Sequence, residues 1–395
     1  MLPRALPADH GWSAETVLAD SPPRSTPRLV SLDVFRGITI AAMLLVNNPG
    51  SWSHVYRPLA HAAWNGWTPT DLIFPFFLFI VGIAATFSLG PLLERGDPRP
   101  GLFRKVIVRA AVIFLLGLLL QGFPDYDLGH IRIFGVLQRI ALSYVLAAAI
   151  VLRAGVRGQA AALVGLLLGY WTLMTLVPVP GVGHGVLEPD LNLSNWVDLH
   201  VIGPNHLWQE TRTWDPEGLL STVGAIASVL CGVLAGHWVR SSRPAGTKAF
   251  GLLAVGSLAL VLGLIWGHAF PINKSVWTSS YVVFSGGIAC QLLALTYWLV
   301  DVKGVRGWTW PFLVFGTNAI SAYWLSSLLA IVLDTIVVTH PAGGDPRVLK
   351  SFIYDSLYAT WLAPADASLA YAVSYDLLWL GLLSILYRRR IFIRI

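Results

Sequence analysis

Charge is what this 395-residue chain has least of: only 12% of its residues are Asp, Glu, Lys or Arg, about half the share of an ordinary soluble domain. With 55% hydrophobic residues and apolar runs of about 20 residues recurring from end to end, there is no stretch in which a large soluble domain could form. Cysteine is nearly absent. Cys231 and Cys290 both lie in apolar runs without CxxC or zinc spacing, which excludes a disulfide framework and a metal cluster and leaves two packing residues. No apolar core of signal-peptide length precedes Leu29, so the first apolar run stays uncleaved, and residues 1–28, rich in Pro, Ser, Ala and Arg, read as a disordered cytoplasmic tail. The net charge of +6 does not indicate nucleic acid, because the basic residues sit in short loops between apolar runs. There is no internal repeat, which weighs against an inverted-repeat transporter.

What the chain does have is membrane helices. Apolar runs and their breakers predict an all-α, polytopic bundle of about ten transmembrane helices, near 32–48, 70–93, 103–121, 131–152, 158–178, 217–239, 247–269, 279–301, 310–338 and 367–388. With the N-terminus inside, the inner segments carry eighteen Lys and Arg, and the outer ones five: Arg57, Arg212, Lys274, Arg347 and Lys350. That asymmetry places both termini in the cytoplasm. The outer side then receives the loop 49–69, the acidic turn "PDYD", the long loop 179–216 and eight of the ten histidines. Residues 352–363, too short to span, would lie along the outer interface.

Polar residues inside such helices need partners or a task, since a charge at mid-bilayer costs a few kcal/mol even on lenient scales. Asp33, Arg36 and Asn47 fall on one stripe of the first helix. Asp33 and Arg36 can satisfy each other, whereas Asn47 has no such neighbour. In "IRIFGVLQRIALSY" Arg132, Arg139 and Ser143 share a face, calling for acidic partners, such as Asp33 for Arg139, or for an anionic ligand. In "TWDPEGLL" Asp215 suits a helix cap, Pro216 the first helical position and Glu217 the positive end of the dipole, with the cavity as an alternative for Glu217. Asn318 and Ser321 read as interhelical hydrogen-bonding residues.

The stretch "HAAWNGWTPTDLIFPFFLFIVG", 61–82, is the densest in chemistry. Thr68, Pro69 and Asp71 form a capping arrangement at the start of a helix. His61, with Asn47 before it and Asp71 after it, supplies a base or nucleophile, an oxyanion donor and an orienting carboxylate. Two other readings compete: a transporter or channel in which His61 is a protonation switch, and metal binding by His54, His61, His184, His200 and His206, whose spacing fits no ligand motif.

Together with "RLVSLDVFRGITIAAMLLVNNPG", "RIFGVLQRIALSY", "TWDPEGLLSTVGAIASVLCGVLAG", "PINKSVWTSSYVV" and the terminal "YRRRIFIRI", this stretch resembles the transmembrane acyltransferase family of heparan-alpha-glucosaminide N-acetyltransferase and its bacterial relatives, in order from about Arg28 to the C-terminus. The resemblance implies an acyltransferase domain over 29–395. It would move acetyl from cytosolic acetyl-CoA to an amino or hydroxyl group of a sugar or glycan on the outer side. It maps the family's histidine, in "HAxWNG", onto His61, its asparagine in "VN" onto Asn47 and its "T-x-x-DL" aspartate onto Asp71. CoA would be held by basic residues among Arg36, Arg139, Arg95, Arg99, Arg104 and Lys105. The acceptor would meet Trp64, Asn65 and Glu217, with Trp52, Tyr56, Trp67 and Trp196 as further faces for sugar stacking. The implied setting is a bacterial inner membrane, with lipid as partner, no metal, and apolar surface enough for a homodimer.

Overall fold

In hydrocarbon every backbone polar group must be satisfied within the chain, which turns runs this apolar into helices. The computed structural model describes residues 29–339 and 346–393. The tail 1–28, with Arg4, Arg24 and Arg28, and the terminal Arg394 lie outside the described residues. Thirteen α-helices follow in order: α1 Val30–Asn47, α2 Ile73–Glu94, α3 Arg99–Gly122, α4 Val136–Arg153, α5 Val156–Leu176, α6 Leu193–Val201, α7 Thr222–Arg240, α8 Ala245–Trp266, α9 Ser279–Tyr297, α10 Trp310–Thr317, α11 Ala319–Thr335, α12 Leu349–Leu357 and α13 Pro364–Arg388. The one sheet among the described residues is an antiparallel ribbon of β1 Val337–Thr339 and β2 Arg347–Val348.

Eight of these segments are long and apolar enough to cross a membrane, so the chain is an integral membrane helical bundle. Of the ten expected passes, eight correspond to these, one falls on α3, which is not among them, and the tenth is broken. Instead of one helix over 310–338, α10 and α11 meet at 83°. Asn318 at the break is satisfied by the chain end: its Nδ2 donates to the Ile391 carbonyl (3.2 Å) and its Oδ1 accepts from the Ile393 amide (2.8 Å). Interhelical bonding was expected of Asn318; the partner is instead the backbone of the "YRRRIFIRI" tail.

Burial identifies the centre. In the most apolar window of α2 78% of residues are buried, and in α7 72%, against 22% in α5 and in α8. Two glycine contacts bring α2 and α7 together: a Cβ on Gly82 would lie 2.0 Å from the Val229 carbonyl oxygen, and one on Gly232 1.9 Å from that of Phe79. Gly37 and Gly316 do the same for α1 and α10. Small residues at such crossings let backbones approach where no water drives the association.

Two helix starts differ from the sequence reading, for the same reason. The fourth helix begins at Val136, not 131, and the sixth predicted helix begins at Thr222, not 217. Arg132 therefore lies in the irregular segment before α4, off the face of Arg139, and Asp215 and Glu217 lie in turns ahead of α7. Arg132 binds both of those carboxylates, which holds the two segments out of their helices. Asp33 pairs with Arg36 at 3.1 Å, and Arg36 also donates to the Gly316 carbonyl at 3.1 Å. Arg139 does not reach Asp33. Fully buried, it donates to the Gly218 carbonyl and to Ser221 Oγ at the start of α7 and lies 5.0 Å from the Trp277 ring centroid.

Candidate active site

Two short 3-10 turns, Arg57–Leu59 and Pro69–Leu72, shape the loop between α1 and α2. The capping arrangement read from Thr68, Pro69 and Asp71 is present. Asp71 does more than cap. Its Oδ2 accepts from the amides of Thr68 and Ala62, each at 3.0 Å, while its Oδ1 accepts from His61 Nδ1 at 2.7 Å. One carboxylate oxygen thus fixes the loop and the other fixes the imidazole. The Asp71 side chain is 2% exposed and that of His61 47%, so a buried anion orients a ring open to the cavity. With Nδ1–H held by the carboxylate, the lone pair sits on Nε2.

The loop between α8 and α9 supplies a third group that sequence reading treated only as a topology charge. Lys274 Nζ lies 3.1 Å from His61 Nδ1, 3.3 Å from Nε2 and 3.8 Å from Asp71 Oδ1. Its position is set by Asn273, which accepts from the Val276 amide and donates to Asn65 Oδ1, each at 3.1 Å. The next residue of the Asn-Gly pair, Gly66, adopts φ +101° and donates its amide to the Ile272 carbonyl at 2.7 Å. Asn65 therefore holds the lysine loop and does not line the cavity. Burial draws the Lys274 ammonium below the usual lysine value, against the pull of Asp71 and Glu217.

These groups line a cavity of about 450 Å³ together with Asn47, Trp64, Arg132, Trp208, Trp214 and Glu217. Asn47, at the last turn of α1, faces this space, while the adjacent Asn48 is buried and donates to the Leu44 carbonyl (2.7 Å). The opposite wall is an ion cluster. Arg132 grips Asp215 through Nε (2.8 Å) and Nη2 (2.6 Å) and reaches Glu217 from Nη2 at 2.6 Å, a fork geometry only arginine offers. Burial works against the Glu217 carboxylate, and the charges of Arg132, Arg139 and Lys274 outweigh it, holding that carboxyl below its usual range. Behind the cluster, burial pushes Asp198 up to about 7; its Oδ1 accepts from the Leu219 amide at 2.8 Å. Trp64, Trp208 and Trp214 meet edge to face, with centroids 5.2 and 5.5 Å apart. Of the aromatic faces suggested by sequence, only Trp64 lines this cavity. Trp67 packs on Phe284, Trp196 stacks on His200, and Trp52 is 62% exposed.

The basic residues expected to bind an anionic donor disperse. Arg36 lines a second cavity of about 260 Å³, with Arg109, Tyr144 and Gly316. Arg99 lines a third, of about 580 Å³, with Arg153, His237 and Arg240. Arg95, Arg104 and Lys105 are exposed and line none of the three cavities, and Arg139 is sealed behind Glu217. Sequence reading missed Lys274, Trp208, Trp214 and Arg109 at these sites. Only "PINKSV", quoted for its resemblance, pointed toward one of them.

Fold and site together define a polytopic helical membrane protein with a histidine–carboxylate pair opening into a tryptophan-walled cavity. A family model described as heparan-alpha-glucosaminide N-acetyltransferase, catalytic, matches residues 28–250. Among similar proteins are the heparan-alpha-glucosaminide N-acetyltransferases of Homo sapiens, 32% identical over 354 residues, and of Mus musculus, 30% identical over 375. The alignments cover 75% and 81% of this chain, and 52% and 56% of those proteins, so the chain spans about half the length of the relatives it matches. The chain belongs to the heparan-alpha-glucosaminide N-acetyltransferase family.

Proposed function

We propose that this protein is a membrane-embedded acetyltransferase that takes acetyl from cytosolic acetyl-CoA and delivers it to an amino group of a sugar or glycan on the opposite side, with His61 as the residue that handles the acyl group. The observation that carries the reading is the His61–Asp71 contact of 2.7 Å beside Asn47 in the tryptophan-walled cavity. A carboxylate on Nδ1 leaves Nε2 as base or nucleophile, which is the division of labour acyl transfer requires. The names of the human and mouse relatives supply the acceptor class, a glucosaminide amine.

Two routes use the same atoms. In one, Nε2 bonds to the thioester carbonyl carbon, the C–S bond breaks and CoA leaves as thiolate; the acceptor amine then displaces the imidazole from the acetyl carbon, and its proton ends on the thiolate. In the other, the amine attacks the thioester directly while Nε2 takes its proton and passes it to the departing sulfur. Both pass through an oxyanion on the acetyl carbonyl, toward which Asn47 donates. Trp64, Trp208 and Trp214 offer faces for a pyranose, and the Glu217 carboxylate offers a hydrogen-bond acceptor for the N–H groups of the acceptor amine. On the donor side, the cavity holding Arg36 and Arg109 has the cationic and apolar lining a pantetheine phosphate would need.

The test is purified protein with radiolabelled acetyl-CoA and glucosamine-terminated acceptors, with His61→Ala alongside. Wild type transfers label and the variant loses at least about a hundredfold of the rate. Equal transfer by the variant would remove His61 from the chemistry. Label retained on His61 without acceptor selects the acetyl-histidine route.

A further inference from the structure

Lys274 brings its ammonium to the imidazole of His61. It is nearly equidistant from the two nitrogens of His61, at 3.1 and 3.3 Å. The two nitrogens flank Cε1, so an ammonium equidistant from both cannot approach in the ring plane without striking that carbon. It lies over the ring face, off the Nε2 lone pair. Asp71 occupies the Nδ1 edge, and the Nε2 edge stays open to the cavity that Asn47 also lines. A carbonyl carbon that bonds to Nε2, or reacts beside it, with its oxygen turned to that face of the ring brings the oxygen within reach of Lys274 Nζ.

The charges around the lysine suit that task. Asp71 stands 3.8 Å from Nζ. Glu217 faces it from the turn before α7 and favours the ammonium, while Arg139 of α4 opposes it. Lys274 is 19% exposed, so its charge acts on the cavity with little water to screen it. The loop gives it few other places to go, since Asn273 is tied to Asn65 and to its own turn.

We propose that Lys274 is a catalytic residue, the cation that stabilises the oxyanion formed when a carbonyl group is acylating, or being activated by, His61 Nε2. The assignment rests on the proposal that His61 handles the acyl group. When the carbon–nitrogen bond forms, the carbonyl π pair moves onto oxygen and is met by the Nζ–H bonds; when the leaving group departs, the pair returns and Lys274 is released unchanged.

The experiment uses a probe that is independent of the natural substrates. Diethyl pyrocarbonate acylates imidazole through the same kind of oxyanion: nitrogen bonds to a carbonyl carbon, and ethyl carbonate leaves, breaking down to ethanol and carbon dioxide. The rate at His61 is followed by peptide mass spectrometry in the full-length protein. His130, held by Asp127 at the same 2.7 Å, is the reference within the chain. Relative to His130, His61 is expected to react about tenfold more slowly in Lys274→Met than in wild type, and within about threefold of wild type in Lys274→Arg, which keeps the charge. An unchanged or faster rate in Lys274→Met would overturn the assignment and make the lysine a cap on the ring. Should that variant not fold, a tenfold loss in Lys274→Arg overturns it equally. Acetyl transfer from acetyl-CoA is measured in parallel. If wild type transfers nothing while the difference at His61 persists, the proposed function fails, and what stands is that Lys274 stabilises an oxyanion formed at His61 Nε2. If transfer occurs and the difference is absent, the reverse holds.

Discussion

At the scale of single residues, Asp71 serves the backbone with one oxygen and His61 with the other. Asp71→Asn can keep the Thr68 and Ala62 contacts, but its amide can donate to Nδ1 and thereby turn the imidazole into the wrong tautomer. The expected result is a fall in kcat of about 10²–10⁴ with little change in thermal midpoint, measured as initial rates of acetyl transfer beside a melting curve. Asp198 makes a separate prediction. Its folded pKa, about 7, lies above that of the unfolded chain, so below about pH 4 both states are protonated and the group is neutral to stability. As pH rises toward 7 only the unfolded state ionises, and the folded state loses stability until the native carboxyl has titrated. Asp198→Asn removes that loss: its melting temperature should exceed that of wild type by about 2 °C or more at pH 8, with the gap narrowing toward pH 5. Asn47, His61 and Asp71 were visible in sequence because they stand within 25 positions of one another around one loop. Lys274, 213 positions from His61, was not, because a lone lysine in an outer loop has the same appearance whether it faces lipid headgroups or an imidazole.

At the scale of elements, the positions of α1, α2 and α7 decide where the loops converge. The α2–α7 crossing rests on Gly82 and Gly232, whose added Cβ atoms would meet backbone oxygens at 2.0 and 1.9 Å, distances no side-chain rotation relieves. Gly232→Ala should therefore cost about 1–3 kcal/mol and lower both the melting temperature and the transfer rate. Combining it with Gly82→Ala should cost less than the sum, because both act on one crossing; differential scanning calorimetry or fluorescence melting in detergent would show this. Hydropathy made the helices legible, since an apolar run long enough to span has few alternatives. It did not reveal the break at Asn318, where α10 and α11 are both apolar and the bend depends on a tail more than 70 positions away. Nor did it reveal the late starts of α4 and α7, because Arg132 and Asp215 stand 83 positions apart and their pairing leaves no local pattern.

At the scale of the whole molecule, the features expected of a transmembrane acyl transfer are distributed along one helix. Arg36 on α1 lines one cavity and Asn47, eleven residues on and about 16 Å along the axis, lines the other. On the ten-pass reading of the sequence the basic residues concentrate, eighteen to five, in the segments that share a side with the termini, and the His61 loop falls among the sparse ones. Donor and acceptor would then meet the protein from opposite faces. The measurement that bears on this most directly uses proteoliposomes of uniform orientation, with labelled acetyl-CoA confined to the side of the termini and a membrane-impermeant glucosaminide to the other. Label should appear on the acceptor across the sealed bilayer, and should be lost with His61→Ala. Transfer only when donor and acceptor share one side, with none across the bilayer, would contradict the mechanism.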